Sequence, residues 1–376
     1  MSRWLFYSDT PLQIFLASLI ACQETIGDDE VELIIGDQFN EASEVARNIS
    51  KIGIFRNIHF IETVFSKKKL LKIHLRTLSG KGSHLINIAK ESYFDYFAFA
   101  YSTFVNQSIL TELYSQNPRL KVILYEDGLG SYTGNVFNNA SYIGRLPNGI
   151  VGLTPRARVQ RGLSRVFPNS LNRYQIKLFY LRSPELLQYP APCECREIGV
   201  NQKEMDIIAS CFKGGSYLKD KKGVLILDGL RDSTIFLPEI EVIDELLQKC
   251  IMNKMDILIR QHPASTLKNK NIEKFIDCSG GLWESECRFL DLNHCILVGM
   301  ASTAQLTPAM TYKKFPPLLF VNWIGKNKAS EAAERIIKMA KCLYGYQASE
   351  KIFTPTSIDE ALEILKSWYK TQYVVS

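Results

Sequence analysis

Apolar and polar positions along this chain follow two alternating periods. Short continuous runs of apolar, β-branched and aromatic residues, bounded by Asp, Gly or Pro, recur between longer stretches with helical spacing. In the first half, Arg3–Asp9, Val31–Gln38, Asn57–Val64 and Tyr93–Ser102 predict strands, and Val122–Tyr125 predicts a fifth. Between them, Pro11–Gln23, Ala42–Ile52, the basic segment after Val64 and the stretch ending near Ser115 predict helices. Thr10 is placed to cap the first helix, with Pro11 at its first position. Such alternation predicts a parallel sheet with helices on both faces.

From about Gly134 to Cys195 the pattern degrades, with prolines at 147, 155, 168, 184, 190 and 192. The alternation then resumes. A helix is predicted over Gln202–Phe212, and strands over Gly223–Gly229, Asp256–Pro263, His294–Met300 and Pro316–Trp323. Helices are predicted over Pro238–Asn253, Ala329–Leu343 and Ser357–Tyr369. The expected architecture is α/β and GT-B-like: two Rossmann-like domains, 1–195 and 196–376, facing across a cleft. The last helix is free to pack back on the N-terminal domain. A length of 376 residues is too great for one ordinary core and suits two such domains. Neither half carries a G-x-G-x-x-G fingerprint or a Walker A loop, which disfavours a dinucleotide dehydrogenase or an NTPase.

Composition narrows the setting. With 46% hydrophobic and 22% charged residues, the balance is that of a globular protein. The apolar stretch Pro11–Cys22 is too short to span a bilayer and lacks a basic leader and cleavage site, so it is expected to be neither a membrane span nor a signal peptide. Nine scattered cysteines point to a reducing, cytoplasmic compartment. Cys193 and Cys195 form a C-x-C pair without a second pair at zinc-site spacing, so no metal is expected there. The net charge of +6 is concentrated in Lys67–Arg76 and Pro155–Arg165. These runs fit solvated surfaces or an acidic partner such as anionic lipid, a charged glycan or a nucleotide. A peripheral contact with the inner face of the membrane is one expectation from them. Nucleic acid is not expected, since no aromatic and basic interleaving accompanies the runs.

Three strand ends carry chemistry. In "LYEDG", Glu126 and Asp127 end a strand and Gly128 begins a turn. A carboxylate at that edge can take a proton from an attacking hydroxyl, and the glycine lets substrate approach the backbone. The same pattern fits an Asx-turn at Asp127 and a surface ion pair at Glu126. In "LIRQHP", Arg260 and His262 follow an apolar run that Pro263 halts. Of the five histidines, His262 is the one best placed to meet a phosphate as donor or general acid, and a satisfied loop histidine fits equally. In "GMASTAQ", Ser302 and Thr303 open a helix whose free N–H groups and dipole favour an anion. Ordinary N-capping explains one of those hydroxyls. No D-x-D motif is present, so a cation bridging a diphosphate is not evident. A monophosphate leaving group needs less charge neutralisation.

"YSDTPLQIFLA" (Tyr7–Ala17), "EDG" (Glu126–Gly128), "HP" (His262–Pro263) and "ST" (Ser302–Thr303) occur in an order that resembles the bacterial sialyltransferases of glycosyltransferase family 52, which includes lipooligosaccharide and capsule-synthesis enzymes. The resemblance spans motifs from the start of the chain to beyond residue 300. It implies a metal-independent, inverting enzyme that moves sialic acid from CMP-sialic acid to a terminal sugar hydroxyl, galactose being the expected acceptor, of a cell-surface glycan. By the same resemblance, one of Glu126 and Asp127 is the base, with Asp127 favoured. His262 meets the departing CMP phosphate, with Arg260 and Pro263 beside it, and Ser302 and Thr303 bind that phosphate. Ser8, Asp9, Thr10 and Gln13 line the cleft, and Gly128 admits substrate. Relatives of the family can be dimers, so a homo-oligomer is also expected. Residues 134 to 195 match no motif of the family. Other readings are a transferase of another CMP-keto sugar or another nucleotide sugar, a sugar-nucleotide epimerase-like enzyme, and a non-catalytic glycan- or nucleotide-binding module.

Overall fold

The computed structural model describes residues 2–25, 27–37, 39, 41–61, 93–100, 104–128, 130–133, 136–137, 176–199, 201–212, 223–227, 237–261, 273–276, 281–289, 291, 294–300, 302–324 and 331–373. The chain divides into two compact units, Met1–Phe212 and Lys213–Ser376.

The first unit runs β1 (Arg3–Ser8), α1 (Pro11–Glu24), β2 (Glu30–Gly36), α2 (Ala42–Lys51), β3 (Asn57–Ile61), β4 (Tyr96–Phe99), α3 (Phe104–Gln116), β5 (Lys121–Tyr125), α4 (Gly130–Thr133), β6 (Ile176–Leu181), β7 (Glu194–Glu197) and α5 (Gln202–Ala209). Its strands pair in parallel in the order β3-β2-β1-β4-β5-β6-β7. The inner strands are near-continuous apolar runs because helices cover both faces of such a sheet. Helix α1 is apolar nearly all round and buried from Gln13 to Ala21. Thr10 caps it by accepting the Gln13 N–H, with Pro11 in the first turn.

Strands β6 and β7 are additions to the expected order. The boundary consequently lies at Phe212 and not at Cys195. β7 pairs with β6, and α5 packs on α1, where Phe15 and Phe212 meet edge to face at 5.9 Å. These contacts tie residues 176–212 to the first sheet.

The second unit runs β8 (Gly223–Leu227), α6 (Leu237–Met252), β9 (Ile257–Arg260), α7 (Trp283–Glu286), β10 (Cys295–Gly299), α8 (Thr303–Tyr312), β11 (Leu318–Phe320), α9 (Glu331–Ala348), β12 (Ile352–Phe353) and α10 (Ile358–Tyr373). Its strands are also parallel, in the order β12-β11-β10-β8-β9. Helix α10 buries Ala361, Leu362, Leu365 and Trp368 against α6 residues Leu246, Leu247 and Cys250. The last helix therefore completes the core of its own unit, where the sequence left it free to pack back on the first.

The basic runs Lys67–Arg76 and Pro155–Arg165 fall outside the described residues, as do His262 and Pro263. Among the described residues, no helix is long and apolar enough to cross a membrane.

Candidate active site

In each sheet the strand order reverses once, beside β1 and β4 in the first and beside β8 and β10 in the second. In open α/β sheets, ligands bind outside the carboxyl ends of strands at such a reversal. Ser8 and Asp9 end β1, with Glu126 and Asp127 ending β5 two strands away. Ser302 follows β10 in the second unit.

The first sheet's edge is built on tyrosines. Tyr125 donates its hydroxyl hydrogen to the Tyr7 carbonyl at 2.6 Å, which leaves its oxygen to accept from Ser8 Oγ at 2.9 Å. Tyr7 donates to Asp9 Oδ1 at 2.6 Å. The Asp9 N–H donates to Gln13 Oε1 at 2.7 Å, and Gln13 Nε2 donates to Asp127 Oδ1 at 2.8 Å. The Asp127 N–H is held by Ser131 Oγ at 2.7 Å, across a turn that Gly128 makes at φ 77°, a left-handed conformation suited to glycine.

Glu126 and Asp127 have opposite fates. Glu126 is fully buried and accepts from Arg182 through the backbone N–H at 2.7 Å, Nε at 2.6 Å and Nη2 at 2.6 Å, and from the Tyr132 hydroxyl. Both of its oxygens are engaged. That corrects its place among the catalytic candidates: Glu126 anchors the turn. Asp127 is half-buried, and burial lifts its carboxyl above the usual range. The Gln13 hydrogen bond opposes that rise, and the charge of Glu126 adds to it. Burial likewise raises Asp9 to about 6, against the Tyr7 hydrogen bond and with the charges of Asp127 and Asp37.

Ser8, Asp9 and Gln13 are at most 1% exposed. They were expected to line the substrate site and instead form the buried support beneath Asp127. Thr10 is spent on the cap.

In the second unit, Ser302 caps α8. Its Oγ accepts the Ala304 N–H at 3.2 Å, and its own N–H donates to Gln305 Oε1 at 3.3 Å. Gln305 reaches on to the carbonyls of Leu297 and Leu319. Thr303, half-buried, is the first residue of the helix. Arg260 ends β9, but its guanidinium bonds the buried carboxylate of Glu286 at 2.8 Å and the Gly281 carbonyl. That engagement corrects the expectation of a phosphate contact. Helix α7, which carries Glu286, also carries Trp283, whose Nε1 donates to the Ala304 carbonyl at 2.8 Å. Arg260 thus helps fix the start of α8.

The sequence reading missed Arg182 and the tyrosines. A signal for Arg182 existed: "IKLFYLRS" ends an apolar run in a cation, as "DILIR" does. Tyr7 and Tyr125 each close an apolar strand run, and nothing local in the sequence marks their hydroxyls as site partners. Among the described residues there is no cluster of three or more His, Cys, Asp or Glu side chains suited to a metal ion.

A family model described as alpha-2,8-polysialyltransferase (POLYST) matches residues 4–285. No curated protein matches the chain. Among solved structures, a UDP-N-acetylglucosamine 2-epimerase aligns with a TM-score of 0.52 at 11% identity, covering 100% of this chain and 91% of its own. The GT-B domain of a sialyltransferase from Photobacterium damselae aligns with a TM-score of 0.49 at 14% identity, covering 94% and 100%. MurG from Acinetobacter baumannii gives 0.47 at 13%, covering 99% and 90%. At 11% identity the likeness to the epimerase speaks for the fold alone, two Rossmann-like units with parallel sheets.

Proposed function

The chain belongs to the alpha-2,8-polysialyltransferase family and is a sialyl-transferring glycosyltransferase; from that premise we propose that it moves sialic acid from CMP-sialic acid to a sugar hydroxyl of a bacterial surface glycan, with inversion and without a metal. The observation that carries this reading is the division of labour in the acidic pair. Glu126 is locked by Arg182 and Tyr132, while Asp127 stands half-buried at the same sheet edge with an elevated proton affinity. A base is most effective when its pKa approaches the working pH.

In the proposed step, Asp127 takes the proton of the acceptor hydroxyl as that oxygen attacks the anomeric carbon. The bond from that carbon to the CMP phosphate oxygen breaks, and CMP leaves with the electron pair. One displacement inverts the configuration. The start of α8 supports the donor role of the second unit. Its backbone N–H groups and dipole suit a phosphate, and Thr303 supplies a hydroxyl beside the cap. His262 keeps its proposed role of protonating or binding that phosphate, on the motif alone.

The family description favours a sialyl-terminated acceptor over the galactoside expected from the motifs. A cytoplasmic site of action, at or near the membrane, belongs to the same proposal. The test is CMP release from CMP-sialic acid in EDTA, with acceptors ending in sialic acid or galactose, using wild type and Asp127→Asn. We expect acceptor-dependent release that falls at least ~10²-fold in the variant. Wild-type turnover in Asp127→Asn would overturn the base assignment. Release that needs no acceptor, or CMP-sialic acid left intact beside turnover of a UDP-sugar, would overturn the reaction.

A further inference from the structure

We infer that Gln13 is the positioning residue of the transfer, holding one carboxylate oxygen of Asp127 so that the other is left to the acceptor hydroxyl. This inference rests on Asp127 being the base. Gln13 lies in the first turn of α1 and is 1% exposed, so solvent does not compete for its amide. Its two ends are not interchangeable. Oε1 accepts the Asp9 N–H at 2.7 Å, and a backbone N–H offers no lone pair to an NH2 group. The NH2 end is thereby directed at Asp127 Oδ1, 2.8 Å away. Turning the amide over would set N–H against N–H and oxygen against carboxylate.

Asp127 is held from two sides. Gln13 engages Oδ1, and Ser131 engages its backbone N–H at 2.7 Å. Among the described residues, no donor is bonded to Oδ2. One oxygen of a half-buried carboxylate is therefore fixed and the other is available, which is what a base oriented toward one hydroxyl requires. Gln13 also acts on the proton itself. Its hydrogen bond favours the ionised form and offsets part of the rise that burial causes.

The sequence segment that supplies Gln13 also supplies its partners. Thr10 fixes the helix start, Asp9 presents the N–H, and Gln13 follows at the N3 position, so helix geometry alone brings the amide back over Asp9. The role of the "DTPLQ" stretch is thus to carry a rigid amide from α1 to the end of β5.

The experiment compares pH profiles of kcat and kcat/KM for wild type, Gln13→Met and Gln13→Glu, each checked for a wild-type melting transition, with Asp127→Asn beside them. Gln13→Met keeps the volume and removes the donor. Its kcat should fall about 10²-fold, its KM for CMP-sialic acid should stay unchanged, and the acid limb should move to higher pH because the ionised form of Asp127 has lost its hydrogen bond. Gln13→Glu keeps an acceptor for the Asp9 N–H and places a second carboxylate on Asp127, so the same limb should move further up. If Gln13→Met does not fold, the limb of Gln13→Glu decides. An inactive Asp127→Asn together with wild-type kcat and an unmoved limb in the folded Gln13 variants would overturn the inference and leave the base intact. An active Asp127→Asn would overturn the reading on which it rests.

Discussion

Glu126 and Arg182 form an ion pair inside the first unit, Nη2 to Oε1 at 2.6 Å, with side-chain exposures of 0% and 3%. Removing one partner leaves an uncompensated charge in a low-dielectric interior. Such losses typically cost about 3–5 kcal/mol. Glu126→Ala and Arg182→Met should each lower the unfolding free energy by that order, with a correspondingly lower urea midpoint. Glu126→Ala additionally strands the Tyr132 hydroxyl, which the carboxylate now accepts from. Urea unfolding of the full chain checks this. A loss below ~1 kcal/mol in both variants would be the surface-pair outcome and would return Glu126 to contention as the base.

Gly299 is the second such fixed point. A Cβ there would lie 2.9 Å from Gln305 Cδ and Oε1 and 3.3 Å from the Leu227 carbonyl. Gln305 cannot swing aside without giving up the Leu297 and Leu319 carbonyls and the Ser302 N–H. Gly299→Ala should therefore destabilise by about 1–3 kcal/mol, as overpacking does. Gly130→Ala, where a Cβ meets nothing within 4 Å, is the control and should be neutral. Equal melting temperatures for the two variants would contradict the argument.

These two cases show what could be read from the chain and what could not. The inner strands were legible because both their faces are buried, which writes an unbroken apolar run. β7, "ECRE", was not, since an edge strand with polar residues carries no such run and sits among prolines. β6 was hidden by the same context despite its apolar "IKLFYL". At the site, the strand-end carboxylates were legible as a pair. Which of them is free was not, because the answer lies with Arg182, 56 residues downstream. Local pattern likewise named Gln13 and Ser302 but not their duties. Each bonds within its own turn, and Gln13 also reaches Asp127, 114 residues on.

Ser302 and Thr303 separate capping from binding. Ser302 Oγ accepts the Ala304 N–H, so Ser302→Ala should cost about 1 kcal/mol of stability. Thr303 sits one position inside the helix, where its hydroxyl is not the cap. Thr303→Val keeps the shape and should leave the melting temperature near wild type while weakening CMP binding about 10-fold, the worth of one hydrogen bond to a charged group. Calorimetric titration with CMP reads the affinity. Unchanged affinity in Thr303→Val would assign the pair to helix structure alone.

Asp9 makes stability depend on pH with a sign that can be worked out in advance. Its carboxyl is raised from 3.8 to about 6, first by burial, against the Tyr7 hydrogen bond, with the charges of Asp127 and Asp37 adding to the rise. The unfolded chain releases this proton near 3.8, whereas the native protein holds it to about 6. The contribution is therefore complete below the lower value and is lost as pH rises through the upper one. A separation of this size corresponds to ~3 kcal/mol at most. Asp9→Asn removes the titration and keeps an oxygen for the Tyr7 hydroxyl, so its stability should gain on wild type between about pH 4 and pH 7 and run parallel outside that window. Urea unfolding across the range gives the difference directly. A constant difference through the window would mean that Asp9 titrates alike in the folded and unfolded chains, and the buried tyrosine-carboxylate edge beneath Asp127 would then have to be more open to water than its geometry shows.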